Sequence, residues 1–144
     1  HVAAAYSDSK IVKLLLEIPE IDVNIGKNER TALDVAAISG LCETVRILLT
    51  RGSAHGIEFN NLDRNGRTVF CNAIEHFDLV KELLNNQEID VNLGEKSPIQ
   101  LAIRNESIPI VKLLLDSPRI DISKLDEDGN TLLHLAIFNN KSDI

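Results

Sequence analysis

Ile21-Asp22-Val23-Asn24 returns later in the chain as Ile89-Asp90-Val91-Asn92. Two variants of this phrase lie at Ile57-Glu58-Phe59-Asn60 and Ile120-Asp121-Ile122-Ser123. The four copies start 31 to 36 residues apart, and each follows an aliphatic run. A period of this length indicates one small unit copied several times. Because such a unit buries its apolar face only against its neighbours, the sequence predicts an extended stack with a long surface.

Each unit reads as two short helices. Thr31 and Ser97 each stand 13 residues before the second apolar run and have the side chain of a helix N-cap. Ser97 and Gln100 have the spacing of a capping box, and Pro98 falls where a missing N–H costs nothing. The second helices are amphipathic, with a basic residue at one equivalent position of each apolar face. These residues are Lys13, Arg46, Lys81 and Lys112.

Polar turns separate the units. Residues 63–67 and 126–130 share the form Asp-x-x-Gly-x before a threonine, which is typical of a tight turn. Two spacings depart from the pattern. Thr68 to Leu79 spans 11 residues rather than 13, so we expect a shorter turn between the helices of the third unit. The five residues from Asn92 to Ser97, against seven in the first unit, predict a shortened hairpin.

Composition excludes several function classes. The net charge of −7 argues against general affinity for nucleic acid or anionic lipid, which depends on clustered cations. No apolar run is long enough to cross a membrane. Cys42 and Cys71 form neither a metal-binding pair nor a disulfide framework, which favours a reducing intracellular compartment: the cytoplasm, with the nucleus as the alternative. The chain has no methionine, and we expect it to be an internal fragment of a longer protein.

The repeated pattern resembles the ankyrin repeat family, which has this period and a Thr-Pro-Leu-His-x-Ala signature. Residues 131–136 depart from that signature only at the proline, and residues 97–102 by conservative changes and glutamine for histidine. The resemblance covers the whole chain and implies an all-α ankyrin-repeat solenoid of stacked helix-turn-helix units joined by β-hairpin-like loops. It predicts a single array with units at about 1–26, 27–62, 63–94, 95–125 and 126–144.

The resemblance also implies where a partner protein binds, namely at the hairpin tips and on the inward face of the first helices. The tip positions are Lys27, Asn28, Arg30, Arg64, Asn65, Arg67, Glu127, Asp128 and Asn130. The inner-face positions are Tyr6, Ile38, Glu75, His76, Arg104, Asn105 and Phe138. The tips are cationic in the middle of the chain and acidic near its end. A partner segment that is first acidic and then basic would complement them.

The family resemblance suggests one covalent modification. The asparagine that closes the repeated phrase is a hydroxylation target in ankyrin repeats, favoured by a leucine eight residues earlier. Asn24 and Asn92 have that leucine, at Leu16 and Leu84. The alternative is that these asparagines only hold their loops through bonds to the backbone. His134 stands at the family's histidine position, where a structural role is expected.

The leading hypothesis is a non-catalytic scaffold module that binds a protein of unknown identity. One alternative is a substrate-docking or regulatory array of a larger enzyme whose catalytic domain lies outside this chain, and another is a structural spacer. No catalytic, cofactor-binding or metal-ligating pattern is recognisable in the sequence. We expect no nucleic-acid or membrane partner, and end-to-end self-association of the array where its ends are uncapped.

Overall fold

Short helices make up most of the chain. A computed structural model describes residues 9–26, 29–94 and 96–142. Within those ranges the elements with both ends described are eight α-helices and one 3-10 helix, and there is no strand. The α-helices are α1 (Ser9–Leu15), α2 (Ala32–Ile38), α3 (Cys42–Arg51), α4 (Val69–Asn72), α5 (Phe77–Leu84), α6 (Pro98–Arg104), α7 (Ile108–Leu115) and α8 (Leu132–Ser142), and the 3-10 helix is Gly52–His55.

The helices pack as two parallel rows. Helices α2, α4, α6 and α8 contact one another in that order, and we call them the first-helix row. Helices α1, α3, α5 and α7 also contact one another in order, and we call them the second-helix row. Contacts of α2 with α3 and of α6 with α7 join the rows. Each helix therefore contacts the equivalent helix of the adjacent repeat, as expected for a solenoid.

The predicted N-caps of the first helices are confirmed. The Asp34 N–H donates to the Thr31 hydroxyl, and the Asp34 carboxylate accepts the Thr31 N–H in return. Ser97 and Gln100 exchange the same pair of bonds. The two capping boxes satisfy N–H groups that a helix start otherwise leaves without a partner.

The core runs continuously between the two rows. Small residues sit fully buried where the first helices approach one another: Ala36, Ala37, Ala73 and Ala102. Larger residues fill the space towards the second helices: Leu33, Phe70, Leu79, Leu83, Ile99 and Leu114. Because these residues come from successive repeats, the buried apolar surface of one repeat is completed by the next.

The shorter spacing in the third unit shortens a helix and not the turn between the helices. We predicted a shorter turn between its helices, and that prediction was wrong. Helix α4 has four residues whereas α2 and α6 have seven, and a turn over residues 73–76 precedes α5. Thr68 fixes the start of α4 through the Cys71 N–H, and the burial of Leu79 and Val80 fixes α5. The deletion therefore shortens the end of α4.

Candidate functional site

The turn at residues 63–67 is closed by its first residue. Asp63 Oδ1 accepts the N–H groups of Asn65 and Arg67 at 2.8 and 3.1 Å. The Asp63 N–H donates to the Arg67 carbonyl at 2.8 Å, and the Gly66 N–H donates to the Asp63 carbonyl at 2.9 Å. Gly66 has a φ of +68°, which favours glycine. The exposed Arg64 and Asn65 are therefore presented by a turn with a fixed backbone.

The turn at residues 126–130 repeats this arrangement. Asp126 Oδ1 accepts the N–H groups of Asp128 and Asn130 at 3.0 and 2.7 Å. The Asp126 N–H donates to the Asn130 carbonyl, and the Gly129 N–H to the Asp126 carbonyl, both at 3.0 Å. Glu127 and Asp128 are exposed at its tip, whereas the Asn130 amide donates to Asp126 Oδ2 at 3.2 Å. The acidic tip residues therefore project from a closed turn.

Each closing aspartate also pairs with an arginine from the preceding part of the chain. Arg30 lies 3.6 Å from Asp63, and Arg104 lies 3.4 Å from Asp126. The aspartate side chains are 1% and 5% exposed, and the arginines 40% and 42%. Arg30 and Arg104 therefore anchor the turns while part of each guanidinium still faces solvent. Hydrogen bonds from backbone N–H groups, led by that of Asn130, hold the pKa of Asp126 below its ordinary value.

Asp63 also belongs to a buried polar cluster with Asn72 and Asp34. The Asn72 amide donates to Asp63 Oδ2 at 3.2 Å and lies 3.5 Å from Asp34 Oδ1. Burial raises the pKa of Asp34 above its ordinary value, because desolvation disfavours the charged carboxylate. Burial also raises the pKa of Asp63, but the N–H groups of Arg67 and Asn65 outweigh it and leave the pKa lowered. The pKa values of the two aspartates are thus shifted in opposite directions within one cluster.

The short loop between Asn92 and Ser97 includes Gly94 and Lys96, which lie between the two closed turns and contact other parts of the chain. The Cys71 thiol contacts the Lys96 carbonyl at 3.5 Å, and Lys124 Nζ donates to the Gly94 carbonyl at 2.8 Å. Gly94 has a φ of +115°, and a Cβ there would lie 3.4 Å from the Gly66 carbonyl oxygen. Gly94 therefore lies close to the base of the preceding turn.

A notch lies beside Lys96, between the turns at residues 63–67 and 126–130. It encloses about 320 Å³ and is lined by Asn65, Gly66, Arg67, Lys96, Leu101 and Glu127. We call it the tip notch. The structure thus brings the predicted residues Asn65, Arg67 and Glu127 together around one cavity. Lys96 and Leu101 were missed from the sequence, although the shortened spacing after Asn92 was a signal for them.

The inner-face candidates lie in the C-terminal part of the first helices or in the turns that follow them. Ile38 is 39% exposed at the end of α2, and Phe138 is 47% exposed on α8. Glu75 and Asn105 are exposed in the turns after α4 and α6. His76 differs, because its Nε2–H donates to the Ile38 carbonyl at 2.8 Å and its ring lies against Gly40. His76 therefore has a structural contact in addition to its predicted role.

Three predicted partner-binding residues, Tyr6, Lys27 and Asn28, lie outside the described residues. A second crevice, of about 560 Å³, is lined by residues that include Ile25, Glu29, Glu58, Phe59 and Leu62. Sequence reasoning missed this crevice. The apolar residue that follows Asn24 was the available signal, since Ile25 is 70% exposed.

The asparagines of the repeated phrase link successive repeats. Asn24 Nδ2 donates to the Gly56 carbonyl at 2.9 Å, and its Oδ1 accepts the Glu58 N–H at 2.9 Å. Asn92 makes the same pair of bonds with the Arg119 carbonyl and the Asp121 N–H, both at 2.8 Å. Both ends of each amide are thus engaged across a repeat boundary. These bonds account for both residues structurally, and their hydroxylation stays a prediction.

The family can now be decided from the whole chain. A model of ankyrin repeats, in three copies, matches residues 1–63, 52–126 and 70–144. The chain belongs to the ankyrin repeat family. Its all-α architecture confirms the predicted fold class. Ankyrin repeats are in general protein–protein interaction modules.

Curated relatives of this ankyrin repeat chain are much longer proteins. An ankyrin repeat protein of Rickettsia bellii is 34% identical over 60% of the chain. The human transient receptor potential cation channel subfamily A member 1 is 27% identical over 81%, and the Dictyostelium discoideum NAD-dependent deacetylase sir2B is 21% identical over 94%. The chain covers 13%, 11% and 19% of these relatives, respectively.

Two further features of the described residues bear on the site chemistry. Across residues 9–26, 29–94 and 96–142, no cluster of three or more His, Cys, Asp or Glu side chains is arranged to hold a metal ion. No helix of that same part is long and apolar enough to cross a membrane. Cys42 and Cys71 are free thiols, and burial raises the pKa of Cys42, which favours its protonated form.

Proposed function

We propose that this ankyrin repeat chain is a non-catalytic module that binds a partner protein along its turn tips and the exposed ends of the first-helix row. The observation that carries the proposal is the pairing of exposed side chains with fixed backbones. Asn65, Glu127 and Asp128 project from turns closed by a buried aspartate. A surface that is ordered before binding loses less entropy when the partner arrives.

The charge of the proposed surface changes sign along the chain. Arg64 and Arg67 lie on the earlier turn, and Glu127 and Asp128 on the later one. A partner segment that is acidic and then basic along its length would meet opposite charges in both places. Ile38 and Phe138 supply apolar contact on the helix ends, since partly exposed apolar side chains are frequent anchors of interfaces.

The experiment is affinity capture from a lysate of the source cell, compared across three forms of the chain. The test variant reverses four tip charges through Arg64→Glu, Arg67→Glu, Glu127→Lys and Asp128→Lys. The control variant reverses four exposed charges elsewhere through Lys81→Glu, Lys112→Glu, Glu88→Lys and Asp116→Lys. Each variant exchanges two cations and two anions, so the net charge of −7 is unchanged. Circular dichroism must first show that all three forms fold alike.

We expect a protein that is captured by the parent and the control variant but lost from the tip variant. Loss from the control variant alone would move the binding surface to the second-helix row. Equal capture by all three forms would show that the tip charges do not contribute to binding. Capture by none would favour the structural spacer. His76→Ala is left out of the test variant because His76 bonds the Ile38 carbonyl, and its loss would confuse folding with binding.

A second candidate function follows from the deacetylase relative, in which the matched region is 19% of the protein. The chain would then be a docking or regulatory array of a larger enzyme. The reading frame on either side of this chain discriminates between the candidates. An adjoining catalytic domain would favour the second candidate, and the tip variant should then raise KM for a protein substrate while leaving kcat on a small substrate unchanged. The intracellular location also stays a prediction.

A further inference from the structure

We propose that the tip notch receives a carboxylate side chain, glutamate or aspartate, from a segment of the partner protein. The inference rests on the proposed function, because it names the chemical group through which that surface recognises its partner. The tip notch is lined by Asn65, Gly66, Arg67, Lys96, Leu101 and Glu127.

The charge of the tip notch is opposite to that of the whole chain. Among the described residues, its lining holds two cations, Arg67 and Lys96, and one anion, Glu127, whereas the chain carries −7. An anionic group that approaches this protein is repelled in general and attracted here. A carboxylate between a guanidinium and an ammonium forms charge-assisted hydrogen bonds, which are stronger than neutral ones.

The walls of the tip notch are fixed before a ligand arrives. The Arg67 N–H and carbonyl both bond Asp63, so the backbone from which its side chain projects is set. The Lys96 carbonyl is met by the Cys71 thiol. Glu127 follows Asp126, which closes the opposite turn. The three charged side chains therefore start from defined positions, which lowers the cost of ordering them around a ligand.

The size and floor of the tip notch favour a side chain as the occupant. Its volume of about 320 Å³ lies at the small end of ligand pockets, which span about 300–1,000 Å³. Leu101 is 7% exposed at the notch and offers apolar contact to the methylene groups of a glutamate or aspartate side chain. Glu127 on the other wall gives the segment an orientation, with its basic residues towards the acidic turn.

The first experiment is selection from a random peptide library displayed with both internal and free C-terminal presentation, using the 144-residue chain as bait. We expect enriched internal peptides with one fixed acidic position next to a basic one. The variants Arg67→Gln and Lys96→Gln remove the cations without reversing them. Lys10→Gln, an exposed lysine on α1, is the matched control.

The second experiment measures the Kd of one selected peptide and of its glutamate-to-glutamine form against each variant. In the parent and in Lys10→Gln, the peptide change should weaken binding by roughly tenfold or more, as loss of a charge-assisted contact predicts. In the double variant of Arg67→Gln and Lys96→Gln, the two peptides should bind equally. That loss of discrimination is the signature of direct contact, since a folding defect would weaken both peptides alike.

The outcomes separate the inference from the function on which it rests. Enriched peptides without an acidic position, or with an acidic position insensitive to Arg67 and Lys96, would overturn the notch proposal and leave protein binding standing. Enrichment only with free C-termini would replace the side chain by a terminal carboxylate and also overturn it. A library that yields no binder, together with no capture from lysate, would contradict both proposals.

Discussion

The backbones of the turns at Asp63 and Asp126 are closed by hydrogen bonds within each turn, whereas Gly94 and Lys96 of the short loop between them are held by residues from other parts of the chain. In each turn one aspartate accepts two N–H groups of its own turn. The short loop instead depends on Cys71 before it and Lys124 after it. Local sequence therefore suffices for the first kind of connection, and only the assembled stack provides the second. The tip notch exists because the two kinds lie side by side.

The largest expected effect comes from breaking a self-held turn that is also buried. Asp63→Ala should lower the free energy of unfolding by about 2–3 kcal/mol, because it frees two turn N–H groups and removes an acceptor of the buried Asn72 amide. Asp126→Ala should cost less, because solvent can reach the half-buried Asn130 amide that it would release. Urea denaturation of both variants measures the difference. An equal loss would mean that the buried cluster makes no additional contribution to the free energy of unfolding.

The next effect concerns the bonds that anchor the short loop at its start. Asn92→Ala should cost about 1–2 kcal/mol, because the Arg119 carbonyl and the Asp121 N–H lose their partners. Asn60 makes the same bonds at the preceding boundary, with the Glu88 carbonyl and the Asp90 N–H, but is exposed. Asn60→Ala should therefore cost less, since water can replace its bonds. A larger loss for Asn60→Ala in thermal unfolding would contradict this order.

An effect of similar size tests the backbone of the short loop against that of a closed turn. Gly94→Ala should cost about 1–2 kcal/mol, because a φ of +115° is strained for any other residue and the Cβ would approach the Gly66 carbonyl. Gly129→Ala is the matched substitution, since its φ of +78° lies nearer the left-handed region and nothing lies within 4 Å of its Cβ. We expect about 1 kcal/mol there. Equal midpoints in denaturant would show that the short loop relaxes.

The smallest effect is the pH dependence of the buried cluster. The folded-state pKa of Asp63 is lowered, so its contribution to stability is present above its unfolded pKa and is lost as pH falls through the folded one. Asp63→Asn should therefore lose less stability than the parent between about pH 7 and pH 3. Asp34 has the opposite sign, because its pKa is raised and its contribution is lost as pH rises. Asp34→Asn should steepen the acid loss, and the same slope for both variants would refute the assignment.

Much of the fold was predictable because the controlling interactions are local. Thr31 and Ser97 cap helices through residues three positions away, and Asp63 and Asp126 close turns within four. The shortening of α4 was not predictable in the same way. The missing residues could be taken from a turn or from a helix, and the outcome was decided by the burial of Leu79 and Val80, which fixes the position of α5.

The candidate site was predictable in outline but not in its contacts. The tips at Asn65 and Glu127 followed from turn chemistry, yet the ion pairs of Arg30 and Arg104 join segments more than 20 residues apart. Long-range anchors of this kind also include Arg119, whose guanidinium donates to the carbonyls of Leu84, Asn86 and Ile89. No spacing rule signals a side chain that reaches back to the end of an earlier helix.

The sequence by itself determined the repeat, the helix starts and the closed turns, because each depends on residues within a few positions of one another. Only the tertiary structure decided which charged side chains anchor turns, how the short loop is held, and that Lys96 and Leu101 join Arg67 and Glu127 around one notch. Those contacts arise when successive repeats stack. Stacking brings together groups about 25 to 38 residues apart, such as Cys71 with Lys96 and Ile38 with His76.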